Sequence, residues 1–364
     1  MNLSLPRAGQ ASDRPASPFP PLGMRRAMWL VLIALVAAAF VASLALGAVR
    51  IPPEEVLRAL VGGRTSKDTW QTIVLTFRLP KAITALLAGA ALGAAGLQMQ
   101  TLFRNPLADP FVLGISSGAS LGVALMVLGG AAVSAGVFGR TAFLGEFGLV
   151  TAAALGAGAI FVVVLTIARR VQSVVTLLVL GLMIGYLTGA AVSLLIYFSI
   201  PEQVAAYVNW TFGSFGGVTW QQMRVFAPAS LIGLAMALVG VKPLNALLLG
   251  ENYARSLGVN VRAARWWVTA SASLLAGAVT AFCGPIGFLG VAVPHLCRAL
   301  FATHDHRVLM PAVILLGAAL ALIFDLIAQM PGARLTLPIN VVTAAFGAPI
   351  VLWVILRRQR FARV

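Results

Sequence analysis

The sequence predicts an all-α polytopic membrane protein with about ten transmembrane helices. Three observations carry this. Of 364 residues, 60% are hydrophobic and only 10% are charged, where a soluble domain carries about 25% charged residues. Mean hydropathy is +0.96. The apolar residues gather in runs of about 20, the length a helix needs to cross a hydrocarbon core of about 30 Å.

Residues 1–24 hold five prolines and little apolar periodicity, and read as a disordered cytoplasmic leader ahead of a membrane domain over 25–364. Arg25-Arg26 precedes a run too long for a signal-peptide core, so the first helix reads as uncleaved. The expected spans are 27–48, 79–102, 112–130, 147–168, 174–198, 225–241, 266–283, 286–302, 308–328 and 339–356. Only Gly284-Pro285 separates the seventh from the eighth. Ten spans place both termini on one side. With the termini inside, 17 of the 26 basic residues fall on inner segments, which favours that orientation. The same bias accounts for most of the +16 net charge without a nucleic-acid partner. Cys283 and Cys297 lie in or beside spans and imply no disulfide framework.

The second span is the most informative. A basic Arg78-Leu-Pro-Lys81 entry leads into a glycine-rich apolar run and a polar Arg104-Asn-Pro-Leu-Ala-Asp109 exit. Gly114, Gly118 and Gly122, and again Gly181, Gly185 and Gly189, recur every four residues, a spacing that lets helices approach closely in lipid. Residues 85–96 align with 273–284, in the second and seventh spans, which cross in opposite senses. That is the pattern of an inverted repeat of helices 2–5 against 7–10. The longest inner loop, 242–265, carries two apolar pieces punctuated by Gly250 and Gly258, as short helices joined by turns require.

Some chemistry is missing. The chain has three lysines, and none sits in a phosphate-binding glycine loop, so it does not hydrolyse ATP alone. Of ten carboxylates only Asp325 and Glu146 approach membrane depth, which gives little support to an ion-coupled secondary transporter, the alternative reading. His295, Cys297, His304 and His306 suggest a metal cluster at first sight. Their spacing places them on different faces or on a turn, so no metal site is assigned. No nucleophile–base pair points to an enzyme.

The chain resembles the permease subunit of type II ABC importers, the FecCD/cobalamin-permease family that takes up ferric siderophores, haem and cobalamin. The matching segments are Arg78–Lys81 with its glycine-rich helix, Asn105–Ala119, Asn209–Phe215, Leu249–Gly258, Gly284–Gly290 running on to His295, Asp305–Arg307, and Leu337–Thr343 with Gly347–Pro349. The resemblance implies a non-catalytic bacterial inner-membrane subunit importing an iron chelate, ferric siderophore first and haem or cobalamin next. It implies a homodimer or paralogous heterodimer surrounded by membrane lipid. Two ATPase subunits, which hold the ATP and Mg, lie beneath, and a periplasmic or extracellular binding protein docks outside. No cofactor is implied in this chain.

Residue roles carry over by position. Arg78 and Lys81 are the docking charges for the binding protein. The family's third docking arginine is replaced by Gln329, with Arg334 the candidate substitute. Asn105 and Leu107, with Ser173 and Val174, match the cytoplasmic gate. Glu251, Arg255, Leu257 and Gly258 match the segment that couples to the ATPase.

Overall fold

The computed structural model of the chain describes residues 22–129, 148–170, 173–330 and 336–361, and no strand occurs among them. Residues 1–21 of the expected leader, Glu146 and Arg334 lie outside that set. Seven helices are long and apolar enough to cross a membrane, and three shorter apolar helices accompany them. Each expected span falls on one of these ten.

In chain order, α1 (Leu22–Ala45) leads to a short α2 (Pro53–Leu60) and α3 (Asp68–Thr72). A π-helical turn, Ile73–Arg78, joins α3 to α4 (Leu79–Leu102). A 3-10 turn (Pro110–Leu113) opens α5 (Ile115–Val127). Then follow α6 (Gly148–Arg170), α7 (Val174–Tyr197) and a surface helix α8 (Pro201–Thr211). After α9 (Trp220–Val239) come the short α10 (Val241–Leu248) and α11 (Glu251–Ser256). The chain closes with α12 (Val261–Cys283), α13 (Leu289–Phe301), α14 (His306–Gln329) and α15 (Ile339–Phe361).

Several boundaries differ from expectation, α9 starting at Trp220 rather than 225 and α15 running to Phe361 rather than 356; two further differences bear on the site. The second crossing is one continuous helical run from Asp68 to Leu102, 35 residues, and not a span starting at 79. Pro80 lacks an N–H and would clash in a regular helix interior, and the wide π turn just before it accommodates the ring. The Leu75 carbonyl in that turn is satisfied by the Trp220 indole N–H at 2.9 Å. The loop 242–265 is also shorter than expected. Asn260 accepts from the Ala263 N–H at 3.0 Å and caps α12, so Val261–Arg265 belong to the crossing helix. The two short helices expected in that loop are α10 and α11.

At the centre α4 runs antiparallel to α14 in a steady register. Lys81 meets Asp325, Gly89 meets Gly317, Gly93 meets Val313 and Thr101 meets His306. A Cβ at Gly89 would lie 2.1 Å from the Gly317 carbonyl oxygen, so the two backbones touch directly. α5 packs on α6 in the same way through Gly118 and Gly156.

The inverted repeat is visible in this packing. The two repeat copies, α4 and α12, lie antiparallel and are linked by Gln98 Nε2 donating to Ser271 Oγ at 3.0 Å. α4 packs on α14, and its counterpart α12 packs on α6. Each copy is followed by a 13-residue helix entered through a left-handed residue, Gly114 (φ 78°) before α5 and Phe288 (φ 68°) before α13. At about 1.5 Å per residue such a helix is about 20 Å long, too short to span a bilayer alone.

Candidate gate and docking sites

Residues singled out in the sequence collect at the two opposite ends of α4. At the Lys81 end, Lys81 Nζ lies 3.0 Å from Asp325 Oδ1. Gln329 Nε2 donates to the other carboxylate oxygen at 2.7 Å. Asp325 is buried, while the Lys81 side chain is 22% exposed. The pair stands in the wall of a recess of about 550 Å³ completed by the 212–217 loop and residues 336–339. Gln329, the departure from the family pattern, is therefore a ligand of Asp325.

Arg78 faces inward. Its guanidinium donates to the carbonyls of Leu44 (2.7 Å), Ala45 (3.0 Å) and Val49, and the residue is only 9% exposed. It satisfies the carbonyls at the end of α1, as a cation at a helix C-terminus does. Asn340, in the first turn of α15, donates to the carbonyls of Thr211 (3.0 Å) and Pro285 (2.6 Å) and accepts from the Gly287 N–H (3.1 Å). It ties the turn before α13 to α8.

At the opposite end α4 stops in a Schellman arrangement. The Asn105 N–H reaches the Gln100 carbonyl at 3.1 Å, and Arg104 takes the left-handed position (φ 49°) usually held by glycine. Asn105 Oδ1 then accepts from the Leu107 N–H at 3.0 Å, closing a tight turn that leaves Leu107 47% exposed. His295 Nε2 donates to the Pro106 carbonyl at 2.8 Å, pinning this turn to α13. His306 bonds Asn245 Oδ1 (2.8 Å) and Thr101 Oγ1 (2.7 Å) through its ring nitrogens. Among the described residues no group of three or more metal-ligating side chains assembles.

Ser173 is the N-cap of α7, its Oγ accepting from the Thr176 N–H at 3.3 Å. Val174 begins that helix, and its side chain lies outside the described set. Glu251 opens α11 and accepts from Arg265 of α12, through Nε at 2.8 Å and through Nη2. Arg255 approaches Glu251 at 3.9 Å. Leu257 is 58% exposed beside Gly258, whose φ of 80° suits glycine. One open cavity of about 870 Å³ is lined by Arg104, Asn105, Ser173, Glu251, Tyr253 and Arg265. It brings together residues of the two segments expected to form the gate and of the segment expected to couple to the ATPase. Leu107, Leu257 and Gly258 lie outside its lining.

Asp109, in the turn between α4 and α5, caps the 3-10 turn by accepting from the Phe111 N–H at 2.9 Å. Burial pushes its carboxyl up to about 6 from an ordinary 3.8, against the opposing pull of that N–H. A raised carboxyl contributes stability that is complete below pH 3.8 and is lost as pH rises through 6. Asp109→Asn keeps the capping oxygen and removes the charge. It is expected to stabilise the protein at pH 8 by on the order of 1–2 kcal/mol, with the difference from wild type vanishing well below pH 3.8. Equal thermal midpoints at pH 8 contradict this.

The sequence reading missed Arg265, His295 and Asn340 as site-organising residues. A basic residue near the end of a span reads as orientation charge, while His295 and Asn340 lie inside recognisable segments without a signal of their contacts.

The FecCD transport family model matches residues 34–357. The chain belongs to the FecCD transport family. Curated relatives in it include the vitamin B12 import system permease protein BtuC of Klebsiella pneumoniae subsp. pneumoniae, 37% identical over 336 residues, 92% of this chain and 95% of that protein. The same-named protein of Salmonella typhimurium is 37% identical over 341 residues, 92% of this chain and 97% of its own. Among solved structures, an inward-facing ABC transporter of the metal-chelate type superposes with a TM-score of 0.78 at 29% identity. It covers 91% of this chain and 99% of its own. This FecCD-family chain is a multi-pass ABC importer permease.

Proposed function

We propose that this permease carries a large metal chelate across the bacterial inner membrane, powered by ATP hydrolysis in separate ATPase subunits. The observation that carries the reading is the cavity that joins Asn105 and Ser173 to Glu251. A gate and a force-receiving segment must share one space if movement of the second is to open the first. Basic residues gather at this end, which supports a cytoplasmic position for it and for both termini. Leu249, Tyr253 and Leu257 are exposed around α11, an apolar surface fit for a cleft in an ATPase. Glu251, Arg255, Leu257 and Gly258 form that contact. Asn105 and Leu107 gate the exit with Ser173 and Val174 from α7.

The opposite end receives the binding protein. Lys81 offers a partly exposed charge at a recess, and Arg334 is the second proposed docking charge. Arg78 supports this rim from within by holding the end of α1. The working unit is a dimer, a homodimer or a pair with a paralogue, with two ATPases and one binding protein, in contact with lipid.

We rank cobalamin first among the chelates, ahead of ferric siderophore and haem, because relatives at 37% identity are named for vitamin B12 import. Uptake with the cognate binding protein loaded with cyanocobalamin, ferrichrome or haem ranks them. Copurification tests the assembly. An ATPase subunit is expected to come down with the tagged chain from native membranes, and its absence under mild detergent counts against the reading.

A further inference from the structure

Among the described residues, two charged side chains line the recess at the Lys81 end of α4: Lys81 itself and Asp325. They differ in exposure. Asp325 is 4% exposed, while the Lys81 side chain keeps 22% of its surface open. The 212–217 loop runs beside the Lys81 stem, where a Cβ at Gly216 would lie 3.7 Å from Lys81 Cδ. A buried carboxylate needs a cation or hydrogen-bond donors, and Asp325 has both. Lys81 Nζ stands 3.0 Å from Oδ1, and Gln329 Nε2 donates to Oδ2 at 2.7 Å. The other cation of this end, Arg78, is committed to the carbonyls that close α1. An ammonium has three N–H groups. A second carboxylate entering the recess can therefore reach Lys81 while Asp325 still holds it, but it then meets the like charge of Asp325 just behind.

We infer that Asp325 sets the strength of docking at this end. It is a positioning residue: it holds Lys81 at the recess wall and opposes the carboxylate that the binding protein brings to Lys81. Gln329 takes part by sharing Asp325 with Lys81 as a neutral donor, so the acid keeps its full charge. The inference rests on the proposed binding-protein site at Lys81. It differs from a packing role in the sign of its effect. Removing a packing contact weakens docking, whereas removing an opposing charge strengthens it. Charges at the rim of an interface act mainly on association rate and its salt dependence, and the effect of a partly exposed pair falls as salt screens it.

The test titrates the cognate binding protein onto the assembled permease–ATPase complex in nanodiscs, at low and at high sodium chloride. Asp325→Asn keeps the side chain's size and removes its charge. It is expected to bind the binding protein about 5-fold more tightly at low salt, with faster association, and the gain is expected to shrink at high salt. Gln329→Arg is the second variant. It gives Asp325 a cation of its own and releases Lys81 to the recess, so a gain in the same direction is expected. Both gains are expected to vanish in a Lys81→Gln background, where no ammonium remains to be released. A folded Asp325→Asn complex that docks no more tightly than wild type overturns the inference. Where Asp325→Asn fails to fold, a Gln329→Arg gain that is absent, or that survives Lys81→Gln, overturns it. Lys81→Gln alone separates the two levels. If it weakens docking and Asp325→Asn does not strengthen it, this inference fails and the docking site stands. If it leaves docking unchanged, the docking charge and this inference fall together.

Discussion

Gly89→Ala is expected to abolish a stable monodisperse protein. The new methyl would sit 2.1 Å from the Gly317 carbonyl oxygen and 2.5 Å from Ala321 Cβ. Both obstacles belong to α14, and one is backbone, so no side-chain rotation relieves the clash. The helices must separate. Separation strains the whole register from Lys81–Asp325 to Thr101–His306. Overpacking a core costs about 1–3 kcal/mol and occasionally more, and a backbone collision at the central helix pair belongs at or above that upper figure. Gly317→Ala makes the reciprocal collision, 2.3 Å from the Gly89 carbonyl oxygen, and should behave alike. Gly158→Ala is the control, because nothing lies within 4 Å of its added methyl. Size-exclusion profiles and thermal midpoints check this. A Gly89→Ala protein as stable as the control contradicts the packing.

Arg265→Gln is expected to uncouple transport from ATP hydrolysis. Glu251 and Arg265 join α11, the proposed ATPase contact, to α12, a crossing helix that also holds α4 through Ser271 and Gln98. Movement of α11 therefore has a direct route to the helix that ends at the gate turn. With the pair broken, ATPase activity of the assembled complex should persist while uptake per ATP falls about 5- to 150-fold, the range that a coupling free energy of about 1–3 kcal/mol covers. The swapped pair Glu251→Arg with Arg265→Glu should recover part of the loss. Equal falls in hydrolysis and uptake would show general damage and remove Arg265 from the coupling path.

Much of this was legible in the sequence. Hydrocarbon demands long apolar helices, so the crossings announce themselves, and the repeat copies at 85–96 and 273–284 fall on the antiparallel pair α4 and α12. The turns at Gly250 and Gly258 marked α10 and α11 because glycine readily supplies the positive φ found at both. The start of the second crossing was not legible. Asp68, the polar residues after it and Arg78 break up the apolar run ahead of Pro80, and nothing local signals a π turn there. The tasks of the arginines were not legible either. Arg78 finds its carbonyl partners about thirty residues earlier in the chain and Arg265 its carboxylate across a turn, contacts that only the packed helices create. A basic residue at a span end looks the same whether it caps a helix, orients the chain or greets a partner.

Uptake into proteoliposomes tests the central claim most directly. The chain is reconstituted with its ATPase and a loaded binding protein, and chelate accumulation is measured with ATP inside, without ATP, and with a proton or sodium gradient alone. Accumulation is predicted only where ATP, ATPase and binding protein are all present. Accumulation driven by an ion gradient, with the ATPase left out, contradicts the account.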